Sequence, residues 1–231
     1  MKYIDVNGDS IWFTIDEDVV TMHFTTKVIN KSSDNINMNS AANSITSDIT
    51  NTFSGNITID DKKYTFKLNA QISSASSMDD VSDSDHLFII STTTNFARGS
   101  TSMLGGKAMH VSRDDFHNDN WFSNTFFSNN TRTSTHEFGH ALGLTHESAI
   151  NGAESSNYDP TNIMTQTGKG GTGNSLFSTQ LNSIYTNWKN GKLNQWTNYQ
   201  YINGVKHPNN GIYDPTENKV SHINKLGIYY K

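Results

Sequence analysis

The run His136-Glu137-Phe138-Gly139-His140-Ala141-Leu142-Gly143-Leu144-Thr145-His146-Glu147 places three imidazoles and two carboxylates within twelve residues. Imidazole nitrogen is a preferred ligand for zinc, and a carboxylate beside such an ion can act as a general base. On a helix, positions i and i+4 lie about 40° apart around the axis, so His136 and His140 can grip one ion. Glu137 falls off that face. It is poorly placed as a ligand and well placed to reach a water beside the ion. His146 follows six residues after His140, and an unbroken helix would turn it roughly 240° away. Gly143 resolves the conflict, because glycine enters the left-handed conformation at little cost and can end the helix there. The chain can then double back with a third imidazole. Three neutral imidazoles would leave the fourth zinc position open for water, as catalytic sites require.

HExxH alone is a modest signal, but a glycine and a third histidine at fixed offsets make it far more specific. The string HEFGHALGLTH resembles the signature of the metzincin clan of zinc metalloendopeptidases, and the matrixin branch most closely. Glu147, directly after the third histidine, is instead astacin-like. The clan also carries a methionine turn below its metal. Asn162-Ile163-Met164-Thr165 matches it, eighteen residues after His146 and just beyond the Asp159-Pro160 turn signal. Met164 is then expected as a soft apolar floor under the histidines. Astacins and serralysins place a tyrosine ligand two residues after this methionine; here the position is Gln166, so the resemblance supplies no such ligand.

This resemblance implies a zinc-dependent endopeptidase acting on a protein or peptide substrate. Its ligands would be His136, His140 and His146, with Glu137 as general base, Gly143 as helix break and Met164 beneath the metal. Glu137 would take a proton from the attacking water and deliver it to the leaving amine. An edge strand near Gly105 to Val111 is expected to align an extended peptide by β-pairing. Two alternatives stay open: a metal-stabilised binding or adhesion module without catalysis, and a zinc hydrolase of non-peptide amides or esters.

The elements that must position this centre are legible in part. Ser10 to Phe24 reads as two strands around Asp16-Glu17-Asp18. Ala41, Ile45, Ile49 and Phe53 form an i+4 stripe on a helix ending before Gly55. Tyr64, Phe66, Leu68, Ala70 and Ile72 alternate with polar residues, as in a half-buried strand. His86 to Ile90 reads as a central strand and Lys107 to Val111 as one near a sheet edge. The metal helix is expected over Thr131 to Leu142. A last helix is expected over Leu176 to Trp188, with Leu181, Ile184, Tyr185 and Trp188 on one face. The fold class is therefore α+β, and the resemblance implies a twisted, mostly parallel sheet with a backing helix, an active-site helix and an irregular lower subdomain containing a C-terminal helix. We divide the chain into a catalytic domain, 1–192, and a short β-rich extension packed on it, 193–231, where Asn203-Gly204 and Asp214-Pro215 mark turns.

The remaining chain bounds the partners. The net charge is −5 with no basic block, which gives no support for nucleic-acid binding. The hydrophobic fraction is 33% without a long apolar run, so no membrane-spanning helix is expected. There is no cysteine, hence no disulfide and no thiolate among these residues to block a metal. Met1 leads directly into Lys2-Tyr3-Ile4-Asp5 without a visible signal peptide. A secreted or cell-envelope bacterial protein, with its leader absent from this chain, and a monomer, are the expectations. Ser73 to Asp85, with Asp79, Asp80, Asp83 and Asp85, lacks calcium-loop spacing and reads as a solvated connection, with Ca2+ as a weaker alternative. His110, Asp114, Asp115 and His117 are candidates for a second metal site, in a pattern unlike that of matrixins. Asp5 or Asp9 could cap zinc, as an upstream aspartate does in some related enzymes, although solvated terminal carboxylates are expected. His23 and His86 read as ordinary strand histidines. The glycine-rich loop from Thr165 to Ser175, with Gly168, Gly170, Gly171 and Gly173, reads as a flexible connection; the resemblance implies that it walls a substrate pocket, with a plain linker as the alternative.

Overall fold

Val20, Met22, Phe24 and Val28 alternate with more exposed residues along β2 (Val19–Asn30), and every one of them is fully buried. That period of two puts one face of the strand into a core and makes β2 the organiser of the sheet. The computed structural model describes residues 10–82, 85–92, 99–101, 104–116, 132–147, 158–166 and 171–194. It also describes the backbone pairing of 199–202, 205–208, 213–214 and 219–220.

β1 (Ile11–Asp16) turns back on β2 as an antiparallel hairpin around Glu17 and Asp18, as expected. Helix α1 (Met38–Thr52) follows, capped by the Asn37 side chain, which accepts from the Ser40 amide at 3.0 Å. Its stripe of Ala41, Ile45 and Ile49 is buried, so this helix backs the sheet. β3 (Gly55–Ile59) and β4 (Lys62–Ala75) form a second hairpin, whose two linking residues, Asp60 and Asp61, both take positive φ. Aspartate tolerates that conformation better than most residues, which suits a two-residue turn. β5 (His86–Ser91), β6 (Gly99–Thr101) and β7 (Ala108–Ser112) complete a seven-stranded sheet of order β3-β4-β2-β5-β7-β6. β1 and β5 share one edge of β2, β1 along its first half and β5 along its second.

The sheet is mixed. Its middle, β4-β2-β5-β7, is parallel, while β1, β3 and β6 join antiparallel. β7 lies next to the sheet edge, as expected for Lys107 to Val111, but it is not itself the edge strand expected near Gly105 to Val111. It is paired on both sides and all five of its residues are buried, with β6 outside it. Edge position depends on a distant partner, and β6 offers only Gly99, Ser100 and Thr101, with no apolar signal.

Among the described residues two α-helices follow the sheet: α2 (Arg132–Ala141) and α3 (Ser178–Lys189). α2 is docked by Phe138, whose ring lies 4.4 Å from that of Phe24 and 4.9 Å from that of Phe53. α3 buries Leu181, Ile184 and Tyr185, and Trp188 meets Phe13 of β1 at 4.7 Å. Full burial of such side chains stabilises by about 1.5–3 kcal/mol each. These contacts join α1, α2, α3 and one sheet face into a single core. The other face holds a smaller cluster of Ile29, Ala75, Met78, Val81, Leu87, Ile89 and Ala108. Met78 and Val81 correct the reading of 73–85 as merely solvated. Strand β4 runs to Ala75, and a turn of 3-10 helix then lays those two side chains on the sheet. Asp80 and Asp85 cap the local turns, accepting from the Ser76 and Ser82 amides at 2.8 Å each. Asp83 lies outside the described residues.

Near the end of the chain β8 (Tyr199–Ile202) pairs with β9 (Val205–Pro208), and β10 (Tyr213–Asp214) with β11 (Lys219–Val220), all antiparallel. Short β segments were the expectation here. Among the described residues, no helix is long and apolar enough to cross a membrane.

His86 has a consequence for stability. It is fully buried at the start of β5, with Nδ1 hydrogen-bonded to the Ser10 hydroxyl and Nε2 without a hydrogen-bond partner among the described residues. Burial, aided by the charge of Lys107, holds its pKa well below the usual histidine value. An unfolded chain takes up this proton below about pH 6.5 and the folded chain does not, so stability falls as the pH drops through that value. Between pH 7.5 and 5.5 this amounts to about 1.4 kcal/mol. In urea unfolding with chelator present, His86→Gln is expected to reduce the pH dependence by about that much. An unchanged dependence would refute the assignment.

Candidate metal centre

α2 presents His136 and His140 one turn apart, and the chain after it brings His146 to the same point. The ligand atoms of the three rings lie within 4.8 Å of one another. The return is made by the backbone at Gly143, which takes φ 78°. Its amide donates to the His140 carbonyl at 2.9 Å, and the Leu144 amide donates to the Gly139 carbonyl at 3.0 Å. This pair of bonds is the Schellman motif, which needs a left-handed residue at the position of Gly143.

The ring tautomers follow from the acceptors. His136 Nδ1 donates to the Ile163 carbonyl and His140 Nδ1 to the Leu144 carbonyl, each at 2.7 Å. With their protons on Nδ1, both rings turn a lone pair on Nε2 towards the third histidine. His146 Nε2 stands 3.1 Å from His140 Nε2 and 3.2 Å from His136 Nε2. One nitrogen cannot donate a single proton to two such neighbours at once, whereas a cation between them satisfies all three. Tetrahedral ligands at 2.0–2.1 Å from zinc would sit about 3.3–3.4 Å apart, close to these separations. Burial pushes the His136 pKa down to about 3 and that of His140 to about 4, and lowers that of His146. The rings are therefore neutral at pH 7, the state a metal requires. The donor set fits a metal ion.

Glu137 is outside this cluster and buried. Its Oε2 accepts from the Thr101 hydroxyl at 2.7 Å. Desolvation pushes its carboxyl up to about 7, and the Thr101 hydrogen bond pulls the other way.

Met164 is fully buried, with its sulfur against α2. A Cβ on Gly139 would come within 2.3 Å of that sulfur and 3.1 Å of the Met164 methyl carbon. Glycine inside a helix costs about 1 kcal/mol relative to alanine, and here the missing side chain is the seat of Met164. The turn carrying Met164 is built by Asn162, whose Oδ1 accepts from the Met164 amide at 2.9 Å. The Asn162 side-chain amide also donates to Gln180 of α3 at 2.7 Å.

Arg132, at the start of α2, fastens the same turn. Its guanidinium donates to the carbonyls of Thr165 at 2.7 Å, Gly173 at 2.9 Å and Ile163 at 3.2 Å. The Ile163 carbonyl thus serves both Arg132 and His136. Glu147 lies outside the ligand cluster and ties the third-histidine segment down. Its carboxylate accepts from the Asp159 amide at 2.9 Å and the Thr165 hydroxyl at 2.5 Å. Gln166 is exposed, beyond the turn. Sequence reasoning missed Thr101, Gly139 as a seat, Arg132 and the Asn162–Gln180 pair. Only Asn162 carried a local signal, as a turn-forming residue.

Among the described residues the group of three or more ligand side chains that could hold a metal is His136, His140 and His146, and His110, Asp114 and Asp115 do not belong to it. His110 is hydrogen-bonded to the Ser91 hydroxyl on the neighbouring strand. His117, Asp5, Asp9, Gly168 and Gly170 lie outside the described residues. Among known proteins, no family model matches this chain and no curated protein is similar to it in sequence.

Proposed function

We propose that the chain is a zinc-dependent endopeptidase of metzincin type. The single observation that carries this is the convergence of the ring nitrogens of His136, His140 and His146, with the Nδ1 protons of His136 and His140 engaged elsewhere, while the buried carboxylate of Glu137, next to His136 in sequence, stays outside the cluster. A purely structural metal site has no use for such a carboxylate. The arrangement of Met164 beneath the metal helix, packed on Gly139, supports the same reading. So does the order of a sheet, then the metal helix, then α3.

Held by His136, His140 and His146, zinc would supply Lewis acidity that acidifies a water and polarises a peptide carbonyl. Glu137 accepts the proton from that water and returns it to the departing amine. The backbone acceptors Ile163 and Leu144 keep His136 and His140 aimed while this happens. An extended substrate would lie along β6, the outer strand of the sheet, rather than along β7. We expect a secreted protein.

Hydrolysis of a quenched-fluorescent peptide library tests the assignment. Cleavage that stops with a metal chelator and returns with zinc is the expected result. A zinc-loaded protein that cleaves no peptide in the library would reject it in favour of a metal-stabilised binding module or a hydrolase of other amides and esters.

A further inference from the structure

We propose that Thr101 is a positioning residue for the Glu137 carboxylate and that strand β6 is its seat. This rests on the reading of Glu137 as general base. The Thr101 hydroxyl lies 2.7 Å from Glu137 Oε2 and 2.9 Å from the Glu137 backbone carbonyl oxygen, so its one proton serves both. The bond to an ionised oxygen is the stronger of the two.

Gly99 is two residues earlier on the strand and therefore faces the same side. A Cβ there would stand 2.8 Å from Glu137 Oε1 and 2.9 Å from Glu137 Cγ. The two residues act on opposite ends of one carboxylate: Thr101 binds Oε2, and Gly99 leaves the space that Oε1 and Cγ fill. Glu137 is buried, so no bulk water competes for these places. β6 pairs with β7 through Gly99–Val111, Ser100–His110 and Thr101–Met109, which anchors this short strand to the sheet. The base is thereby held by the sheet as well as by its own helix, and its direction is fixed before substrate arrives.

Thr101→Val keeps the shape and removes the hydroxyl, and Thr101→Ser keeps the hydroxyl. For the zinc-loaded full chain we expect kcat for a cleaved peptide to fall on the order of tenfold or more in the valine variant, with KM within about twofold. The serine variant is expected to restore kcat. A role confined to fastening β6 would lower thermal stability without this split. Crystal structures of the zinc-loaded parent and valine variant give a readout independent of turnover. The carboxylate is expected to leave its parental orientation in the variant.

Parental kcat in Thr101→Val, or an unmoved carboxylate, would overturn the proposal. A zinc-loaded parent that hydrolyses no peptide would overturn the peptidase assignment instead, and the two carboxylate orientations would still decide the role of Thr101.

Discussion

Replacing Glu137 by glutamine is expected to slow peptide hydrolysis by about 10²–10⁴-fold while leaving a full equivalent of metal bound. The two halves of that expectation have separate physical sources. Metal retention is expected because the cluster that could hold the ion consists of imidazoles and does not include the Glu137 oxygens. Loss of turnover follows from the carboxylate itself. Burial raises its pKa to about 7, so it can hold a proton for part of a cycle and release it again near neutral pH. A cation held by the imidazoles would draw that value down, towards the form that accepts a proton.

Glutamine is close in shape, and its amide oxygen can still accept from Thr101. It cannot carry a proton between water and amine. Metal content by atomic absorption and kcat on one cleaved peptide measure the two halves. Parental turnover with metal bound would remove Glu137 from the chemistry. Metal loss would show that the carboxylate supports the site in another way.

The parts of this centre that were legible in the sequence are those fixed by local geometry. His136 and His140 face together because a helix repeats every 3.6 residues, and Gly143 is readable because few other residues sit easily at φ 78°. Helix α1 was readable for the same reason, from Ala41, Ile45 and Ile49. What the sequence hid is non-local. Arg132 reaches carbonyls some thirty to forty residues away, and nothing in its own neighbourhood marks it for that task. Thr101 meets Glu137 only because β6 folds against β7 beside α2.

The misplacement of the sheet edge has this same origin. Ala108 to Ser112 has the composition of a strand, but whether a strand has one neighbour or two is decided by residues elsewhere, here Gly99 to Thr101. A propensity scan sees three small polar residues there and no strand. β3 was also missed, although Ile57 and Ile59 followed by Asp60-Asp61 carry the weak signature of a strand and its turn.

Removing the metal is expected to lower the unfolding midpoint by about 8–16 °C, and His146→Ala to abolish that difference. The three candidate ligands come from two segments, a helix and the chain beyond its Schellman turn, so an ion held by all three would bind only when that turn has folded. An ion that binds only the folded state adds about 4.1 kcal/mol at a thousandfold excess over its dissociation constant. In a chain of this size each kcal/mol shifts the midpoint by roughly 2–4 °C, which gives the stated range.

Without His146 the remaining pair, His136 and His140, lies on α2 alone and no longer joins the helix to the returning chain. The variant should then melt at one temperature with zinc or with chelator. Differential scanning calorimetry of parent and variant in both conditions measures this. An equal chelator effect in His146→Ala would exclude His146 as a ligand. No effect in the parent would mean that His136 and His140, whose Nε2 atoms lie 3.2 and 3.1 Å from that of His146, hold with it no ion that matters to the fold, and the convergence of these rings would then need a different explanation.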